Sequence, residues 1–275
     1  MSSPFGPVSA GVVRPFPSRG QAARARPPDR MAPVLSWDDF MQWEFDWRQD
    51  QHVALIGPTD SGKSTLTYQI LPMRRYVTFF ATKPRDHTLD QFAAAGGFVR
   101  LDDWPPYHPK NGRTRKGWLR HRRPVSAEEM PRRLLWPDAT SLYSAPRQTE
   151  VFKRACEDLY TDGGWCVVWD EFWHMTSILG LEKEARIFLQ QARSNDISFL
   201  VGAQRPSRVP LEIYDQSTHL FFWRDNDEAN LKRMSGIGWL DSASIRSFVA
   251  HLEPHQVLYV NTRRGDLYRT TAPRA

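Results

Sequence analysis

Gly57-Pro58-Thr59-Asp60-Ser61-Gly62-Lys63-Ser64 matches G-x-x-x-x-G-K-[ST] in full, and that pattern is built to hold a polyphosphate. Backbone N–H groups of such a loop, with the N-terminus of the next helix, converge on one point and solvate phosphate oxygens. Lys63 would add a point charge at the β- and γ-phosphates, and Ser64 a hydroxyl for a Mg2+ ion bridging them. Residues Gly57 to Ser64, with Thr65 beside them, are therefore the candidate nucleotide-binding set. An ordinary glycine turn is the plainer reading, and the apolar run Val53-Ala54-Leu55-Ile56 ahead of the loop argues against it.

Splitting a nucleoside triphosphate requires charge neutralisation and a water held in line with the breaking bond. Asp170-Glu171 closes the apolar run Trp165-Cys166-Val167-Val168-Trp169. Asp170 would serve the Mg2+ shell, and Glu171, projecting differently one residue on, would orient or deprotonate the water. Acids at a strand end also cap helices, which is the alternative for this pair. Gln204 ends another apolar run, from Ile197 to Ala203, and its amide could sense the γ-phosphate or the water; a turn residue ahead of Pro206 is the competing reading. Arg193 is the candidate for an arginine acting on a neighbouring subunit's nucleotide, with Arg186 and Arg205 as substitutes. Helix ends favour Arg for dipole reasons too.

The elements that must position these groups emerge from the pattern. Runs at 53–56, 76–83, 165–169, 197–203 and 220–223 read as strands, and those at 165–169 and 197–203 are continuously apolar, as in a sheet covered on both faces. Helical spacing separates them at 87–95, 149–160 and 178–192, and 227–234 and 242–252 also read as helices. The pattern predicts an α/β fold with a mainly parallel central sheet flanked by helices. Ligands in such sheets bind beyond the C-terminal strand ends, so the Lys63 loop, Asp170-Glu171 and Gln204 are expected to converge. Residues 256–260 and 267–270 form a hairpin candidate.

A formal charge of +6 over 275 residues favours an anionic partner. Residues 1–34 are Pro- and Arg-rich with almost no apolar period, and read as a disordered basic arm. Trp37, Phe40, Trp43, Phe45 and Trp47 then lead into the first strand and are expected in the core. Across about 102–137 the regular pattern lapses, and this stretch reads as a basic insertion rather than scaffold. Lys110, Arg113, Arg115, Lys116, Arg120, Arg122 and Arg123, together with Arg132 and Arg133, cluster there among Trp104, Tyr107, Trp118 and Trp136. That mixture suits contact with a nucleic-acid backbone; a solvated variable loop is the alternative. Residues 35–239 are read as the nucleotide domain and 240–275 as its C-terminal extension. Cys156 and Cys166 are too few for a disulfide framework, and no signal peptide or membrane span is expected, which points to a reduced, cytoplasmic protein.

The series Gly57 to Ser64, Trp169-Asp170-Glu171, Ala192-Arg193-Ser194 and Ala203-Gln204-Arg205-Pro206 resembles the FtsK/HerA group of P-loop ATPases, and within it the DNA-packaging ATPases of bacteriophages and mobile elements. The resemblance spans residues 50 to about 236, leaving out 102–137. It implies a RecA-like (ASCE) core in which the acid-bearing strand and the Gln204 strand lie between the phosphate strand and the second strand. It also implies ATP and Mg2+, hydrolysis coupled to movement of double-stranded DNA, and a homo-oligomeric ring with the arginine acting across subunits. A portal or channel protein as docking partner, and a place in the host cytoplasm at a procapsid, belong to the viral form of this reading. Asp60 departs from the small residue usual at its position, and a carboxylate there would weaken phosphate binding. A conjugation or DNA-segregation motor shares the same core. A P-loop kinase is disfavoured because a kinase must exclude the water that Glu171 is placed to activate, and a slow-turnover ATP-binding adaptor is the third class.

Overall fold

The computed structural model describes residues 32–107, 124–234 and 242–273. The candidate DNA-contacting residues Lys110, Arg113, Arg115, Lys116, Arg120, Arg122 and Arg123, and the arm up to residue 31, lie outside the described residues.

In chain order the elements are β1 (His52–Ile56), α1 (Lys63–Ile70), β2 (Val77–Phe80), α2 (His87–Ala95), β3 (Val99–Leu101), β4 (Arg132–Leu135), α3 (Ala145–Asp162), β5 (Cys166–Trp169), α4 (Glu182–Gln191), β6 (Ser198–Ala203), α5 (Leu211–Gln216), β7 (Ser217–Trp223), α6 (Glu228–Met234), α7 (Ser242–Ala250), β8 (Gln256–Asn261) and β9 (Asp266–Thr271). The strands form one sheet in the order β3-β4-β2-β5-β6-β1-β7-β8-β9. Pairing is parallel from β3 to β7 and antiparallel across β7, β8 and β9. β5 and β6 thus separate β1 from β2.

Both sheet faces are buried, which is why β5 is apolar at every position and β1 and β6 are apolar beyond their first residues, His52 and Ser198. Alternate residues serve opposite cores: Val167 and Trp169 of β5 pack with Phe152 of α3 and Phe188 of α4, while Cys166 and Val168 pack with Leu66 and Ile70 of α1 and the lead-in rings Phe40, Phe45 and Trp47. Burial pushes the Cys166 thiol up to about 12, so it acts as a small core hydrophobe. Trp43 is the exception among the lead-in rings and faces solvent.

Three expectations need correction. Residues 132–135 are not insertion but β4, an internal strand paired to both β2 and β3. Arg132 and Arg133, read as part of a nucleic-acid surface, are scaffold. Arg132 donates to the carbonyls of Gly96 and Arg74. Arg133 donates to those of Met130, Val125 and Ser126 and lies 4.4 Å from the Trp165 ring centre. Trp104 and Trp136 are buried as well. Second, the helix expected over 178–192 starts only at Glu182, because Gly180 breaks the backbone at φ +66°. Third, the arm expected to run to residue 34 gives way earlier: Ala32 is buried, Leu35 N–H donates to Arg269 O at 2.9 Å, and Arg269 N–H to Pro33 O at 2.9 Å. The lead-in therefore lies along β9 as a short parallel partner.

Candidate nucleotide site

β1 delivers the phosphate loop to the C-terminal edge of the sheet, and α1 begins at Lys63. Two residues turn the loop with left-handed backbone, Gly62 at φ +109° and Asp60 at φ +60°. Aspartate is among the few side chains that tolerate this region, which accounts for its standing where a smaller residue is usual. The Asp60 side chain is exposed and so need not face the phosphates.

Lys63 folds back on its own loop. Its Nζ donates to Gly57 O at 2.7 Å and Pro58 O at 2.6 Å. Burial lowers its pKa, opposed by the charges of Asp170 and Glu171. The loop carbonyls thus hold the cation at the loop, and a phosphate would have to take their place as its partner.

Asp170 and Glu171 come directly after β5, and Gln204 directly after β6, so all three reach the same edge. Ser64 Oγ donates to Asp170 Oδ2 at 3.2 Å. Asp170 Oδ1 is enclosed with no hydrogen-bond partner among the described residues, and burial raises this carboxyl's pKa. A hydroxyl beside a carboxylate with an oxygen to spare is the oxygen donor set a Mg2+ ion takes from protein when phosphates and waters complete its shell, so Ser64 and Asp170 fit that ion. Gly202 makes the approach possible: a Cβ there would sit 2.4 Å from Asp170 O.

Glu171 is held from two sides. Gln204 Nε2 reaches its carboxylate, and Lys83, just past β2, places Nζ 3.5 Å from Oε1. Lys83 Nζ also lies 3.4 Å from Asp86. Partial burial would lower the Lys83 pKa, but the charges of Asp170 and Glu171 raise it overall. Sequence reasoning missed Lys83; its only local signal is its position one residue before the proline that ends the second strand. Beside Glu171 and Gln204 opens a cleft of about 240 Å³ that Arg205, Arg208 and Trp173 also line.

The three candidate trans-acting arginines are dispersed. Arg205 flanks Gln204 at the nucleotide edge. Arg186 pairs with Glu182 on the exposed face of α4 at 2.9 Å. Arg193 lies in the turn before β6, at the opposite end of the strands, where its guanidinium donates to Gln216 O. It does not join its own subunit's site.

A phosphate loop, paired acids on the next strand but one, and a polar residue on the strand between them are the arrangement of a RecA-like P-loop fold. No protein-family model matches the chain, and no curated protein matches it. Solved structures do. B204, the DNA-packaging ATPase from Sulfolobus turreted icosahedral virus, superposes with a TM-score of 0.55 at 14% identity, covering 81% of this chain and 98% of that one. The genome-packaging NTPase B204 of Sulfolobus turreted icosahedral virus 2, bound to ATP-gammaS, gives 0.51 at 13% identity over 81% and 97%. VirB4 of Thermoanaerobacter pseudethanolicus gives 0.57 at 10% identity over 82% and 89%. At these identities the likeness is one of fold.

Proposed function

We propose that the chain is an ATP-driven translocase of double-stranded DNA, of the genome-packaging kind. The observation that carries the ATPase part is the convergence of Lys63, Ser64, Asp170, Glu171 and Gln204 at one strand edge. Packaging rests on the FtsK/HerA resemblance and on the viral packaging enzymes among the similar folds. A conjugation or DNA-segregation motor, which shares the core that the same resemblance implies, is the second reading.

Lys63 would exchange the Gly57 and Pro58 carbonyls for phosphate oxygens, and the loop N–H groups would complete the cradle. Mg2+ held by Ser64 and Asp170 would neutralise charge on the β- and γ-phosphates. Glu171, steadied by Gln204 and Lys83, would take the proton of the attacking water. The cleft beside Glu171 supplies a route for that water. Among the described residues no helix is long and apolar enough to cross a membrane, and we place the protein in the cytoplasm, at a portal or channel partner.

Two further parts of the reading concern assembly. Arg193 can serve a neighbouring copy in a ring only if the N-terminal strand edge of one subunit faces the nucleotide edge of the next. Mixed assemblies of Arg193→Ala and Glu171→Gln chains are expected to recover some turnover; no recovery at any ratio would remove Arg193 from the role. The basic run Lys110 to Arg123 is assigned to the DNA backbone on charge alone. Neutralising Arg113, Arg115, Arg120, Arg122 and Arg123 is expected to flatten the salt dependence of DNA binding, and an unchanged slope would make the run a bystander.

The deciding experiment is steady-state ATP hydrolysis with and without long duplex DNA, beside Glu171→Gln. DNA-stimulated turnover that the variant lacks supports a motor. Turnover indifferent to DNA would move the reading to a kinase or an adaptor.

A further inference from the structure

Hydrolysis as proposed engages only one flank of the phosphate loop. On the other flank, away from β6, the ends of β7 and β8 enclose a hollow lined by Thr65, Leu66, Trp223, His255, Val257 and Ala272, with Gly62 at its margin. Taking the phosphate-loop reading as its basis, we infer that the nucleobase lies over the mouth of this hollow, with the His255 imidazole as its stacking partner and little discrimination between bases.

Direction along the sheet edge makes the first argument. Asp170, Glu171 and Gln204 stand at β5 and β6, so the γ end of a triphosphate in the loop lies over those strands. β7 flanks β1 on the other side. A chain of phosphates running from the acids past Ser64 to the first turn of α1 arrives at Thr65, and the sugar and base beyond the α-phosphate must lie over β7 and β8.

His255 supplies the second. It adopts φ +62°, a conformation that histidine visits more readily than most residues but still at a cost. The turn that holds it is closed by Gln256 N–H donating to Glu253 O at 3.0 Å. This backbone carries an exposed imidazole back to the loop, with Nδ1 3.4 Å from Ser61 O. Gly62 borders the same space: a Cβ built there would make ordinary contact with Trp223 Nε1 at 3.5 Å and His255 Nδ1 at 4.0 Å.

The lining determines the chemistry. Leu66 and Val257 are buried beneath the floor of the hollow, while Thr65 and Ala272 at the rim and the exposed His255 imidazole offer the accessible surface, a flat face that suits a planar heterocycle with wet edges. Strong selection among bases comes from buried groups committed to hydrogen bonds with the base edge. The hollow has few of them, so adenine and guanine nucleotides should bind alike.

The test compares equilibrium binding of ATP, GTP and inorganic tripolyphosphate to the wild-type chain, Lys63→Ala, His255→Ala and His255→Phe. Wild type should bind ATP about tenfold or more above tripolyphosphate, as expected for one stacked base, and GTP within about tenfold of ATP. His255→Ala should bring ATP down toward tripolyphosphate, leave tripolyphosphate unchanged, and be rescued by His255→Phe. ATP affinity unaltered in His255→Ala, or tripolyphosphate weakened as much as ATP, overturns the stacking role. A preference for ATP over GTP above about 100-fold overturns the weak base readout. Tripolyphosphate binding that survives Lys63→Ala overturns the phosphate-loop reading itself, a result distinct from the others.

Discussion

Gln204 Nε2 donates to both carboxylate oxygens of Glu171, at 3.1 Å and 2.9 Å. The same amide accepts from Thr59 Oγ1 at 3.3 Å through its Oε1. One side chain therefore ties the phosphate loop to the residue that would handle water. Glu171→Gln is expected to keep ATP affinity and lose about 10²- to 10⁴-fold in kcat, the range for a positioned base. Gln204→Ala should lower kcat by roughly tenfold or more with the ATP dissociation constant nearly unchanged, because the base remains but loses its aim. Wild-type kcat in Gln204→Ala would dismiss the coupling.

Lys83 holds the other side of Glu171 through a contact that is half exposed. Such a pair is worth about 1 kcal/mol at most, or roughly fivefold in rate. Lys83→Met should therefore cost kcat several-fold, with KM for ATP little moved, and Lys83→Arg should restore it. Steady-state kinetics of the two variants separate this from a folding defect, since loss in both with lowered thermal stability would mark Lys83 as merely structural.

Arg133 is a cation inside the protein, its pKa lowered to about 10 by burial. Removing it takes the arginine donor from the carbonyls of Met130 and Val125, and leaves Ser126 O only its bond from Met130 N–H. Arg133→Met is expected to destabilise by roughly 2–3 kcal/mol in denaturant unfolding, with no change in the salt slope of DNA binding. A changed slope at full stability would return this residue to the nucleic-acid surface.

His52 and His219 are both neutral in the fold, each lowered from 6.5 to about 3, chiefly by burial. His52 Nδ1 accepts from Phe199 N–H at 3.1 Å, and His219 lies 2.8 Å from both Tyr259 Oη and Gln51 Oε1. The unfolded chain protonates near 6.5 and the folded one does not, so unfolding takes up protons below that pH. Stability is full above about pH 6.5 and falls as pH drops toward 3, by about 2 kcal/mol per histidine at pH 5. Urea midpoints at pH 7.5 and pH 5 measure this, and equal midpoints would refute it.

The phosphate loop and the acids were legible because their chemistry depends on close spacing along the chain. β5 and β6 were legible because burial on both faces leaves an unbroken apolar run. β4 was hidden by Arg132 and Arg133, which open a buried strand with charges whose hydrogen bonds go to carbonyls of other segments. Lys83 and His255 were invisible for a different reason. Lys83 meets Glu171 because Phe80 and Trp169 stand side by side across β2 and β5, and His255 meets Ser61 across 194 positions of chain; local pattern carries neither pairing.

The lead-in along β9 bears on how copies can meet. An outer strand with free N–H and C=O groups is a template for another chain's strand. Here Pro33 and Leu35 already engage Arg269 on that border. Two molecules are thus discouraged from fusing their sheets end to end at β9, and a closed ring would have to form through helix and loop surfaces instead. Residues at the junction of the basic arm and the nucleotide domain thus serve, by this geometry, as a guard on one border of the sheet.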